Sequence, residues 1–245
     1  MKKFQNIKVA VDEKRVRGIH SLLENFPEPG LVLLDDAFQH RSVTPGLSIL
    51  LTDYHHLFTE DHVFPSGRLR EFRSGAKRAD IIIVTKTPKV FSPITRRRIE
   101  DEIRPDPSQK LFFSYISYGN FIPFNEDEDP AILQKLSYIL LFTGIANDYP
   151  LQEEVARKCT DLAVLKFPDH HEYEMKDLEK IRTKFTDLPS RKKIILTTEK
   201  DIMRLKTPEF STYLKDLPLF YIPIEIDFHD KDKPLFDKLI RDYVG

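Results

Sequence analysis

Two adjacent carboxylates, Asp35 and Asp36, close a run of four apolar residues and are followed by Ala37, Phe38, Gln39 and His40. An acid at the carboxyl end of a buried strand can reach a Mg²⁺ held by nucleotide phosphates. Neighbouring carboxylates repel each other, which also favours a cation beside them. A strand that simply ends in a turn has the same pattern, so the residues alone leave both readings open. A second segment, Pro65-Ser66-Gly67-Arg68-Leu69-Arg70-Glu71, has Arg73, Lys77 and Arg78 behind it. Guanidinium groups on a glycine-containing loop suit an anionic ligand such as phosphate. A solvated charged loop reads the same way.

A third segment, Phe167-Pro168-Asp169-His170-His171, sets a histidine beside a carboxylate. It offers a general base or a substrate-binding group, or else a surface pair ahead of a helix. No H-E-x-x-H spacing accompanies it, so it does not read as a zinc site. In a fourth, Thr197-Thr198-Glu199-Lys200-Asp201, Thr198 and Asp201 stand at capping-box spacing. Lys200 there is either a solvated helix residue or a contact for an acidic ligand. Thr85-Lys86 also ends an expected strand, at the edge where open α/β sheets bind ligands.

Positioning these residues requires a sheet. Unbroken apolar runs predict strands over 7–11, 31–34, 47–51, 81–84 and 111–117, then 138–142, 162–167, 193–197 and 219–224. Helical spacing or capping covers 15–26, 92–103, 150–159, 175–185, 198–205 and 234–244. Strands without polar alternation, separated by helix-length segments, predict an α/β fold with parallel sheets covered on both faces. Residues 27–30 form a proline-glycine break, and the acidic stretch 125–130 sets a boundary between domains 1–125 and 126–245.

Composition narrows the function. Of 245 residues, 38 are Lys or Arg and 39 Asp or Glu, a net charge of −1. That excludes a globally basic nucleic-acid binder. With Cys159 the one cysteine, no intrachain disulfide can form. No apolar run approaches the ~20 residues of a membrane-spanning helix, and the first residues suggest no secretory leader. Neither G-x-x-x-x-G-K-[ST] nor G-x-G-x-x-G occurs, so the usual phosphate cradle is missing from the sequence.

Taken together, the segments resemble one family. Asp35-Asp36-Ala37-Phe38-Gln39-His40 is similar to the D-D-G-[FL]-Q-H motif of tetraacyldisaccharide 4′-kinases, the lipid A 4′-kinases. Residues 65–71 resemble the family's P-x-G-x-[LM]-R-E segment, and Thr143-Gly144-Ile145-Ala146 its [AT]-G-I-[AG] turn. Residues 167–170 resemble F-x-D-H, and 198–201 match T-E-K-D. Ala37 departs from the usual glycine, which alters the freedom of that turn.

The resemblance implies a partial P-loop-kinase core with a smaller α/β domain, and an active site in the cleft between them. It implies transfer of the ATP γ-phosphate to the 4′-hydroxyl of a tetraacyl-glucosamine disaccharide 1-phosphate, giving lipid IVA. ATP and Mg²⁺ would be required, and the enzyme would work peripherally at the cytoplasmic face of the inner membrane. By motif matching, Asp35 and Asp36 would handle Mg²⁺, with Gln39 and His40 beside them. Arg70 and Glu71 would lie on the phosphate or disaccharide side. His170, oriented by Asp169, would approach the catalytic centre, supported by Lys200 and Asp201. The family's hydrophobic amino-terminal helix, glycine-rich loop and G-D-E-P segment have no match here. The chain therefore reads as the carboxyl-terminal majority of such a kinase, expected to be inactive alone; a non-catalytic binding module and a partner subunit are the alternatives.

Overall fold

In the computed structural model, described over residues 7–26, 30–125, 130–134, 136–229 and 231–245, the chain forms two units. One consists of Met1–Ile116 with Ile226–Gly245, the other of Ser117–Glu225. In the first, β1 (Ile49–Asp53), β2 (Ile81–Thr85) and β3 (Lys110–Tyr118) pair in parallel, and β9 (Ile224–Phe228) completes the order β1-β2-β3-β9. Alternate residues of β2 serve opposite faces. Ile82 and Val84 pack with Ile99 and Ile103 of α2 (Pro93–Ile103). Ile81 and Ile83 pack with Phe236, Leu239 and Ile240 of α7 (Asp232–Val244). Helix α2 starts where it does because the Ser92 hydroxyl accepts the Thr95 N–H and Pro93 opens the first turn. A further helix, α1 (Arg15–Asn25), buries none of its residues.

The second unit has the order β4-β8-β7-β5-β6. Strand β5 (Tyr138–Thr143) is flanked in parallel by β6 (Asp161–Lys166) and β7 (Lys193–Thr198). Beyond β7 lies the parallel β8 (Leu219–Ile222), and the short β4 (Ile122–Pro123) adds antiparallel to β8. Leu140, Phe142 and Ile195 face one core with α4 (Met175–Thr186), α5 (Glu199–Arg204) and α6 (Pro208–Leu214). Ile139, Leu141, Ile194 and Leu196 face the other, with Leu151 and Val155 of α3 (Tyr149–Ala156). Burial on both faces explains why these strands read as unbroken apolar runs.

Two expected strands do not form. Residues 7–11 and 31–34 carry no ladder, and Leu33 is 86% exposed. Apolar composition permits a strand, but lateral backbone hydrogen bonds make one, and neither segment finds a partner among the described residues. Asp35 and Asp36 therefore follow an unpaired segment instead of ending a strand. The breaks expected at 27–29 and 126–129 lie outside the described residues. The units divide at 116/117 and 225/226 rather than at the proposed 125/126, because β9 joins the first sheet and α7 packs on it.

One buried carboxylate ties α7 to both α2 and β3. Asp232, 2% exposed, accepts two N–H groups of Arg96 at 3.0 and 2.8 Å and the Phe113 N–H at 2.9 Å. Asp232→Ala leaves a guanidinium and a backbone N–H without their acceptor and is expected to cost about 3 kcal/mol in urea unfolding. A change under about 0.5 kcal/mol, the range of ordinary surface substitutions, would show that apolar packing alone seats α7.

Candidate active site

In the first unit, two of the motif segments come together. Asp36 accepts Arg70 Nη1 on both carboxylate oxygens, at 3.0 and 2.9 Å. Glu71 accepts Arg78 at 2.7 and 3.0 Å and Arg41 at 3.2 Å. Arg78 also donates to the Phe38 carbonyl at 3.1 Å and lies over the Phe38 ring, 4.7 Å from its centroid. The Arg70 guanidinium holds the Asp36 carboxyl below its usual range. Arg78 does the same for Glu71, against an opposing effect of partial burial and with help from Arg41. Gly75 makes room for this: a Cβ there would stand 2.7 Å from the Glu71 carboxyl carbon.

Asp35 is exposed and forms no ion pair among the described residues. Gln39 and His40 lie in the same turn, where the His40 N–H bonds to the Ala37 carbonyl at 2.9 Å. The residue with left-handed backbone is Asp36 (φ 46°), not Ala37. Aspartate tolerates that region, so the missing glycine is not strained. Lys86 (φ 58°) also has left-handed backbone, at the end of β2, where its ammonium meets Asp53 at 2.7 Å. Among the described residues no group of three or more His, Cys, Asp or Glu could hold a metal. Mg²⁺ bound with nucleotide phosphates needs only one or two carboxylates, so Asp35 fits that smaller role while Asp36 is engaged by Arg70.

In the second unit, the other three segments converge on Asp201. Its Oδ2 accepts the Gly144 N–H at 3.0 Å and the Thr198 hydroxyl at 2.7 Å, and its Oδ1 lies 3.4 Å from Arg204 Nη1. Thr198 caps α5 by accepting the Asp201 N–H at 3.1 Å. The spacing promised a capping box, but the carboxylate turns instead to Gly144. A Cβ on Gly144 would stand 2.9 Å from Asp201 Oδ1 and 3.3 Å from the Pro168 carbonyl oxygen. Tyr173 is buried there, and burial together with the Asp201 carboxylate pushes its phenol far up.

The neighbouring histidines differ. His171 is bonded to Asp177 at 2.9 Å and stacked on Phe167 at 4.8 Å, which makes it part of the scaffold. His170 (φ 61°) is exposed, with Lys200 3.3 Å from Nε2 and Arg204 3.4 Å from Nδ1. Asp169 stands 3.7 Å from the ring, too far for a hydrogen bond. It accepts the His170 backbone N–H at 3.0 Å and Lys200 at 3.3 Å instead. Partial desolvation raises the Asp169 carboxyl, but Lys200 and His170 outweigh this and hold it low. Asp148, buried between Lys166 and Thr143 at 2.9 Å each, braces the turn that starts at Thr143.

Sequence reasoning missed Arg204, Tyr173, Asp148, Arg41 and the pairing role of Arg78. Arg204 could have been found, since it follows Lys200 by four residues on one helix face. Arg41 is fixed by a contact 30 residues away, and Arg78 and Asp148 meet partners 7 and 5 residues away across turns whose geometry no local pattern encodes.

Asp201→Ala should strand the Gly144 N–H and Arg204, cost about 3 kcal/mol in denaturant unfolding, and shift the His170 ring resonances. Unchanged stability would remove Asp201 from its central place. Glu71 predicts an acid response. Its folded pKa is lowered, so its stabilisation is complete above the ordinary value of 4.5 and is lost as pH falls through the folded value. Glu71→Gln should flatten that part of the stability profile; an unaltered acid limb would contradict the pairing.

The sequence matches the tetraacyldisaccharide-1-P 4′-kinase family over residues 1–244. It is 38% identical over 247 residues to the tetraacyldisaccharide 4′-kinase of Phocaeicola vulgatus, covering 99% of this chain and 68% of the relative. The Bacteroides thetaiotaomicron enzyme of the same name is 43% identical over 255 residues, with 99% and 67% covered. The chain thus spans about two thirds of the length of these relatives. A crystal structure of LpxK from Aquifex aeolicus in complex with ATP superposes with a TM-score of 0.59 at 22% identity. That match covers 96% of this chain and 64% of the other, and it supports the fold. The chain belongs to the tetraacyldisaccharide-1-P 4′-kinase family.

Proposed function

We propose that this chain serves ATP-dependent phosphoryl transfer to the 4′-hydroxyl of a tetraacylated disaccharide 1-phosphate, the lipid IVA-forming step of lipid A synthesis. The observation that carries the reading is the assembly of the family's motif residues into two ordered clusters. One joins Asp36 to Arg70, and the other joins Gly144, Asp169, His170, Lys200 and Asp201. Phosphoryl transfer rests on positioning and charge neutralisation. Asp35, without an ion pair among the described residues, is the carboxylate available to Mg²⁺, which would neutralise phosphate charge when bound with ATP. Arg70, fixed by Asp36, is a directed donor for a phosphate oxygen, with Gln39 and His40 in the adjoining turn. Glu71 is consumed in holding Arg78 and Arg41, which makes it a positioning residue.

In the other unit, His170 is the accessible group able to hold a proton. Lys200 and Arg204 stand beside opposite ring nitrogens, and since a neutral ring has a single lone pair it accepts from at most one of them; the acceptor hydroxyl displaces that donor to reach the lone pair. Asp169 fixes the histidine through its backbone. The acyl chains of the acceptor place the reaction at a membrane surface, in this reading peripherally at the cytoplasmic face of the inner membrane. Among the described residues no helix is long and apolar enough to cross one.

The 245 residues contain no glycine-rich phosphate loop. Loss of one oriented donor costs about 10²–10³ in rate, so these residues alone should turn over at least about a hundredfold slower than a relative assayed beside them. The measurement is transfer from labelled ATP to the disaccharide 1-phosphate. It is repeated after fusing on the part of a relative that has no counterpart here. Activity should appear in the fusion and fall at least about a hundredfold in its Asp35→Asn form. A fusion without turnover would favour lipid-disaccharide binding without chemistry, and turnover indifferent to Asp35 would take the metal role from that residue.

A further inference from the structure

The loop over 60–78 is tightly built, yet it turns large apolar side chains outward. Asp61 Oδ1 accepts the N–H groups of His62 and Arg68 at 2.8 and 3.1 Å, and the Asp61 carbonyl accepts Arg73 Nε at 2.8 Å. Backbone bonds of 3.0 Å run from Phe64 to Leu69 and from Leu69 to His62. Gly67 sits where an added Cβ would collide with Asp61 and the His62 backbone. Within this frame Phe64 is 78% and Phe72 77% exposed. A cavity of about 590 Å³ beside Phe72 is lined by Val63, Leu69 and Arg73 among others.

The charges divide into two sets. Arg41, Arg70 and Arg78 are taken by Glu71 and Asp36. Arg68, Arg73 and Lys77 form no ion pair with a carboxylate among the described residues; Arg68 faces His56 at 3.3 Å and Arg73 a carbonyl. Exposed aromatic rings interleaved with exposed cations on a rigid loop match the chemistry of an anionic bilayer surface, with Asp61 offsetting part of the charge of Arg68. A single-stranded nucleic acid also uses arginine and aromatic rings, but it needs a continuous basic groove. Here Glu60, Asp61 and Glu71 interrupt the cations, and the chain as a whole carries −1.

We propose that the 60–78 loop docks on lipid bilayers bearing anionic headgroups. Phe64 and Phe72 enter the interface, and Arg68, Arg73 and Lys77 meet the headgroup phosphates. The proposal rests on the reading of an acylated acceptor and adds the surface through which the chain reaches it.

The chain has no tryptophan, so a single introduced indole reports on its own surroundings. In Phe64→Trp and, separately, Phe72→Trp, emission should shift to the blue with vesicles of equal parts phosphatidylglycerol and phosphatidylcholine. Brominated acyl chains should quench it, and added salt should weaken the response. Phe64→Ser/Phe72→Ser, checked for an unchanged circular-dichroism melt, should lose about tenfold in vesicle co-sedimentation. Arg73→Gln/Lys77→Gln should lose the preference for phosphatidylglycerol. Indoles that stay unshifted, or co-sedimentation equal in parent and serine variants, would overturn the proposal. So would retention of a single-stranded oligonucleotide in preference to vesicles. Phosphorylation of a short-chain, water-soluble acceptor by the fusion described above would keep the kinase reading intact even if docking failed.

Discussion

A carboxylate wholly withdrawn from water is tolerable only when its lone pairs are filled, and Asp201 meets that condition with donors from separated stretches of chain. The Gly144 N–H lies 57 positions away in sequence, and Thr198 and Arg204 flank the acid at either end of α5. Satisfying one charge thereby fixes the turn after β5 against the start of α5. The effect spreads to His170, whose N–H bonds to the Gly144 carbonyl at 3.2 Å. The exposed histidine takes its place from a buried ion two contacts removed, and its left-handed backbone is held by that framework.

Order in the first unit has another origin. The pairs Asp36–Arg70 and Glu71–Arg78 lie near the surface, where single ion pairs contribute about 0–1 kcal/mol. What makes them a defined arrangement is shared geometry. Arg78 serves Glu71, the Phe38 carbonyl and the Phe38 ring together, and Gly75 lets Glu71 approach closely. This cluster is therefore screened by salt, and with both carboxyls held low it loosens only in acid.

Burial on both faces is what made much of the fold legible. The runs at 81–84, 138–142 and 193–197 became strands because helices cover both sides of their sheets. The run at 31–34 looks the same, but composition does not record whether a neighbouring backbone exists. The run at 219–224 read as one strand. Pro223 cannot donate a ladder bond, and the chain there leaves β8 for β9 in the other sheet. Helix α6 went unforeseen although Thr207 and Pro208 carry a cap and a first-turn proline. The motif residues of the site were visible through their resemblance to a family. Tyr173, Asp148 and Arg41 were not, because each owes its position to packing or to turn geometry that no residue pattern records.

The return of β9 and α7 to the first unit makes the second an insertion within it. During synthesis the ribosome releases the whole of Ser117–Glu225 before Asp232 exists to meet Arg96. The second unit, contiguous and with its own cores, can fold as it emerges. The first must wait with β2 and β3 made but one face bare, since Phe236, Leu239 and Ile240 are translated only after the second unit. Nascent chains are thus most vulnerable to chaperone capture and proteolysis in the β2–β3 sheet, which is made before the inserted unit but covered only after it.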